Sequence, residues 1–189
     1  YLCTIWHQNE PYCADAEYGI AGCSSIAVAQ IMYHYRWPET FEWNNIDHQW
    51  LKTLDELSSD ERFFMNSVIE AIDPVYEEKD EEIYTSVIPE KVVAALRSFD
   101  YNVTEMAYSR SGAEWYIRQG TPFICYGQNI TDSDMNHYWI CDGYKANKVQ
   151  YAAYMINEDF DDYMFFSGMT DVLSEYFHLN MGDGEMPNT

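Results

Sequence analysis

Basic residues are scarce in this chain: 10 Lys and Arg stand against 32 Asp and Glu, for a formal charge of −22. A surface of that sign repels phosphate backbones and anionic lipid, which argues against nucleic acid as a partner. Long apolar runs are missing too. No stretch reaches the roughly 20 apolar residues that span a bilayer, so no membrane span is expected. Closely spaced cysteine pairs are absent: Cys3, Cys13 and Cys23 are ten apart, and Cys125 and Cys141 follow much later. A zinc knuckle needs C-x-x-C-like pairs, so these spacings do not read as one. The five cysteines leave at least one thiol outside any disulfide. The chain opens at Tyr1 with neither Met nor a signal peptide, and reads as a processed or trimmed fragment whose leader and any pro-segment are missing.

What is present is apolar material enough for a sizeable core, 47% of 189 residues, and an unusual 17 Tyr. A tyrosine buries its ring yet needs a partner for its hydroxyl, which favours a mixed fold over a plain helical bundle. The run from Cys23 to Tyr35 carries no charge until Arg36 and stops at Trp37-Pro38. Its length predicts a helix, apolar nearly all round and therefore central. Residues 60–72 predict a second helix with Asp60 as cap and Phe64, Val68 and Ile72 on one face. Glu77 to Glu82 reads as a charged loop. Pro89 opens a third helix through Phe99, and Gly112 to Gln119 predicts a fourth. Thereafter Phe123–Gly127, His137–Tyr144, Val149–Ile156 and Tyr176–Met181 read as antiparallel strands. The expectation is one α+β domain over residues 1–189, mainly helical over 1–110 and mainly β over 111–189, with a cleft between the halves.

Cys23 stands at the head of the long apolar helix, directly after Ala21-Gly22. The first turn of a helix presents unpaired N–H groups and a positive partial charge, which favour a thiolate and can hold an oxyanion. Gly22 leaves room for a substrate backbone. A base must come from elsewhere. His34 lies on the same helix, eleven residues on, about 16 Å along the axis at 1.5 Å per residue. His7 and His48 sit in irregular polar segments, whereas His137 opens an aromatic strand. In a strand, His178 and Asn180 share the face opposite Leu179. Asn180 can supply the third group that fixes the tautomer of a catalytic histidine, and the chain order Cys, His, Asn fits a papain-like arrangement.

The segment Ile20 to Met32, continued by Tyr33-His34-Tyr35-Arg36-Trp37-Pro38, resembles the nucleophile helix of the streptopain family of bacterial cysteine peptidases. Trp6-His7-Gln8 with Pro11-Tyr12, Phe41-Glu42-Trp43, and His137 to Tyr144 resemble three further family motifs in the same order. The resemblance implies a papain-like fold with a helical lobe, a β-sheet lobe and the active-site cleft between them. It implies Cys23 as nucleophile, His137 as general acid and base, Gln8 as side-chain donor to the oxyanion beside the Cys23 N–H, and Asn180 as orienter of His137. It further implies endopeptidase cleavage of peptide or protein substrates through a thioester, with no cofactor. Members of this family are secreted zymogens, so a secreted, cell-surface or periplasmic location and a pro-segment or protein inhibitor as partner are also implied.

The closing family motif is altered. Met181 and Asp183 stand where tryptophans are usual, and Tyr138 replaces a small residue after the histidine, with bulk to narrow the cleft. These departures define the alternative: a degenerate relative that binds peptide or a partner protein in the same cleft without cleaving it.

Overall fold

The computed structural model describes the backbone of residues 2, 4, 6–9, 11–13, 15–47, 53–79, 81–128, 136–156 and 164–181, and the side chains of these except at 54, 147–156 and 164–175. Among them lie four α-helices and two antiparallel sheets. Helix α1 spans Cys23–Tyr35, and every residue from Cys23 to Tyr33 is buried. The chain leaves it through Arg36 in the left-handed region (φ +49°), whose N–H donates to the Met32 carbonyl. The turn is held in place because the Arg36 guanidinium lies over the Tyr33 ring at 5.0 Å and donates to the Trp43 carbonyl at 3.2 Å.

Helix α2 spans Ser59–Ile72. Its cap is Ser58 rather than Asp60: the Ser58 hydroxyl accepts from the Glu61 N–H, and the Glu61 carboxylate accepts from the Ser58 N–H at 2.7 Å. This reciprocal pair satisfies two donors that a helix start would otherwise leave open. Glu61 is buried, and its other oxygen accepts from the Asp47 N–H at 3.0 Å. Phe64, Val68 and Ile72 form the fully buried stripe that their spacing predicts. Phe64 meets Trp6, Phe41 and Trp43 at ring-centroid distances of 5.9, 5.0 and 5.2 Å in tilted or edge-on contacts. That aromatic cluster ties the N-terminal segment to α1 and α2, at ~1 kcal/mol per pair beyond simple burial.

The acidic stretch after α2 is not a loop. Strands β1 (Val75–Lys79) and β2 (Glu82–Ser86) pair antiparallel with Glu77 opposite Tyr84 and Glu78 opposite Ile83. Period-2 alternation carries the pairing: half-buried Tyr76, Ile83 and Thr85 share one face, and exposed Glu77, Tyr84 and Glu82 the other. Helix α3 (Pro89–Ser98) follows with Pro89 in its first turn. Helix α4 spans Arg110–Arg118, capped by the Ser109 hydroxyl accepting from the Gly112 N–H.

The second sheet has the order β3–β4–β5, with β3 at Phe123–Gln128, β4 at Asn136–Ile156 and β5 at Met164–Asn180. The two strands expected at 137–144 and 149–156 are one continuous strand, and the strand expected at 176–181 is the end of a longer one. All pairings are antiparallel; Gly127 faces His137, Tyr126 faces Tyr138 and Asn180 faces Ile140. The register of β4 on β5 shifts between Cys141 and Gly143. Helix α1 packs against β4 and β3, so the start of the buried helix lies against the aromatic strand. The mixed helical and antiparallel make-up is α+β.

Candidate active site

The turn into α1 is built for close approach. Gly22 adopts φ +80° and ψ 153°, a region that side chains avoid, and a Cβ there would lie 2.5 Å from Thr85 Oγ1. The β1–β2 hairpin is thus seated against the residue before Cys23. It is bonded there too, since the Tyr76 hydroxyl donates to the Ile20 carbonyl at 3.0 Å. Gln8 joins the same turn through its main chain: its carbonyl accepts from the Ala21 N–H at 2.7 Å. Buried Trp6 and Tyr12 anchor the segment on either side of Gln8.

Cys23 is the first residue of α1 and is 9% exposed. Its sulfur accepts a hydrogen bond from the Tyr138 backbone N–H at 3.5 Å. Helix α1 and strand β4 therefore meet at residues 23 and 138, one position after His137. The Tyr138 side chain is buried, with its hydroxyl donating to the Val87 carbonyl at 2.9 Å and its ring 4.9 Å from that of Tyr126. Burial pushes that phenol well above the ordinary tyrosine range. The bulk expected to narrow the cleft is packed inside, where it ties β4 to the lead-in of α3.

The His137 ring lies parallel to Trp139, 17° between planes and 6.1 Å between centroids. Room for Trp139 comes from Gly127, where a Cβ would lie 2.5 Å from the indole. Nε2 of His137 is 3.1 Å from the Met181 carbonyl. A carbonyl only accepts, so this bond requires the proton on Nε2 and leaves the lone pair on Nδ1. Met181 itself is 38% exposed.

Asn180, one residue earlier, is held from two sides. Its Oδ1 accepts from Gln30 Nε2 at 3.2 Å, and its Nδ2 donates to the Thr4 carbonyl at 3.1 Å. His178 is paired with Asp142, whose carboxylate is buried, at the register shift of β4. His34 points elsewhere, lining a 220 Å³ cavity with Leu2, Ile117, Gly120, Pro122 and Asp142. Asp183, Cys3 and His48 lie outside the described residues.

Cys125 and Cys141 lie on the paired strands β3 and β4. Burial raises their thiols to about 12 and about 11 from an ordinary 9.0, so both stay protonated at neutral pH. No group of three or more His, Cys, Asp and Glu with metal-holding geometry occurs among the described residues. No helix among them is long and apolar enough to cross a membrane.

The spacing of motifs points to Cys23 and His137 but not to Gln30, Tyr138 or the Asp142–His178 pair. The single available signal for Gln30 is an amide within an otherwise apolar stretch of helix. A thiol at a helix head beside a histidine strand, with an acceptor fixing the imidazole, is the equipment for acyl transfer through a thioester. Residues 6–188 match the sequence model of the Peptidase C10 family. No curated protein matches the chain.

Proposed function

This chain belongs to the Peptidase C10 family, the streptopain family of cysteine peptidases, and on that premise we propose that it is a cysteine endopeptidase with a papain-like division into a helical lobe and a β lobe. The observation that supports the reading is the 3.5 Å approach of the Tyr138 N–H to the Cys23 sulfur, beside the strand that bears His137.

In the proposed reaction the Cys23 thiol passes its proton to Nδ1 of His137, and the sulfur attacks the scissile carbonyl of the bound peptide. Negative charge develops on the carbonyl oxygen, where the Cys23 N–H and the Gln8 side chain donate to it. His137 protonates the leaving amine, and the C–N bond breaks to give a thioester. A water then loses its proton to His137, attacks the thioester and releases the acid, restoring the thiol and the neutral imidazole. Asn180 and the Met181 carbonyl keep Nε2 protonated and the reactive nitrogen toward sulfur. The substrate is peptide or protein. The family resemblance supports release outside the cytoplasm behind an inhibitory pro-segment.

Digestion of fluorescein-labelled casein tests this, with Cys23→Ala as control. Cleavage by the wild type that is lost in Cys23→Ala supports the peptidase. Equal background in both sinks it and favours a peptide-binding relative, the reading to which the low exposure of Cys23 and the exposed Met181 lend support.

A further inference from the structure

Between Ile26 and Met32 the buried helix α1 carries a single polar side chain, Gln30. It is 0% exposed, and its Oε1 has no hydrogen-bond partner among the described residues. Burying an amide with half its capacity unmet is unfavourable, and an apolar residue of the same length would fill the space without that penalty. Such an exception to the pattern of the helix marks a place where something other than stability is served.

The half of the amide that is satisfied shows what. Gln30 Nε2 donates to Asn180 Oδ1 at 3.2 Å, across 150 residues of sequence. Asn180 Nδ2 donates to the Thr4 carbonyl at 3.1 Å. One donor and one acceptor, on opposite ends of the Asn180 amide, determine which end faces α1. The next residue in the chain presents its carbonyl to His137 Nε2 at 3.1 Å. Gln30 lies seven residues beyond Cys23, about 10 Å along the helix, so it does not reach the sulfur itself. We propose that Gln30 is a positioning residue: it pins Asn180 to the nucleophile helix, so that the Met181 carbonyl holds His137 with its proton on Nε2. Helix α1 then carries both the nucleophile and, through this relay, the alignment of the base.

The kinetic part rests on the peptidase reading; the tautomer part does not. The test compares wild type with Gln30→Met, which keeps length and removes the donor. In ¹⁵N-histidine-labelled protein the His137 Nε2–H tautomer dominates in the wild type and gives way to a mixture in Gln30→Met. The thermal midpoint of Gln30→Met is equal to or above that of the wild type. On labelled casein its kcat falls about tenfold or more with little change in KM, the mark of misalignment rather than lost binding. Asn180→Leu breaks the same bond from the other end and gives the same tautomer mixture, should Gln30→Met not fold. An unchanged His137 tautomer in the variant that folds overturns the proposal, as does an unchanged kcat. A wild type that cleaves no casein overturns the peptidase reading alone, and the tautomer comparison still decides the role of Gln30.

Discussion

The backbone N–H of Tyr138 donates to the sulfur of Cys23 at 3.5 Å, joining two residues 115 apart in sequence. This bond fixes where β4 passes the head of α1, and the Tyr138 side chain holds it there from the other side through the Val87 carbonyl. Tyr138→Phe removes the phenol and leaves the Val87 carbonyl without that donor. The expected loss is about 1 kcal/mol in urea unfolding. A loosened strand also lowers kcat on casein more than it raises KM. Unfolding free energy and kinetics both equal to wild type would show that the phenol does not steady the strand.

Two thiols, Cys125 and Cys141, are held protonated to high pH. Alkylation proceeds through the thiolate, and burial holds Cys125 at about 12 and Cys141 at about 11. At pH 8 the thiolate fraction is then on the order of 10⁻⁴ for Cys125 and 10⁻³ for Cys141. Iodoacetamide labelling read by mass spectrometry is expected to modify Cys23 first, with Cys125 and Cys141 untouched until far more alkaline pH. The linkage has a definite sign. Both folded values lie above the 9.0 of an ordinary thiol, so the unfolded chain releases its protons first, and stability falls as pH rises through 9. Labelling of Cys125 at the rate of Cys23 near neutral pH would contradict this.

Gly22→Ala tests the turn before Cys23. The φ of +80° disfavours any side chain, and the added Cβ would meet Thr85 Oγ1 at 2.5 Å. The backbone strain alone is of order 1–3 kcal/mol. Combining Gly22→Ala with Thr85→Ala relieves the contact but not the strain, so the double variant recovers part of the lost stability and little of the lost activity. Full recovery of both in the double variant would assign the whole effect to crowding by the hairpin.

Helix α1 is legible in the sequence because an uncharged run of that length has one buried outcome, and the places of Cys23 at its head and His137 near the start of β4 are legible with it. The β1–β2 hairpin is hidden by its charges. Glu77, Glu78, Glu81 and Glu82 have low strand propensity, and the pairing is carried by Tyr76, Ile83 and Thr85, of which Tyr76 and Thr85 meet Ile20 and Gly22 more than fifty residues away. Residues 145–148 fall between two expected strands, yet β4 runs through them because β5 supplies a partner for each. For Asn180, its place in the chain order can be read from sequence, whereas its partners Gln30 and Thr4 are known only once α1 and the N-terminal segment converge. Local pattern reports an element; long-range hydrogen bonds report its use.

The imidazole of His34 gives the fold a dependence on acid. Burial lowers its pKa below 6.5, against a smaller opposing pull from Asp142. Above pH 6.5 the ring is neutral in both folded and unfolded chains and favours neither. As pH drops below 6.5 the unfolded chain takes up the proton first, so stability falls until the pH passes the folded value, below which the loss is complete. His7, lowered by burial as well, adds in the same direction. Protonation of the many carboxylates relieves the charge of −22 and alters stability over the same range, so the contribution of His34 is read as a difference. The urea midpoint of the wild type at about pH 7.5 minus that at about pH 5.5 is expected to exceed the same difference in His34→Gln. Equal differences in the two proteins would show that His34 titrates alike folded and unfolded.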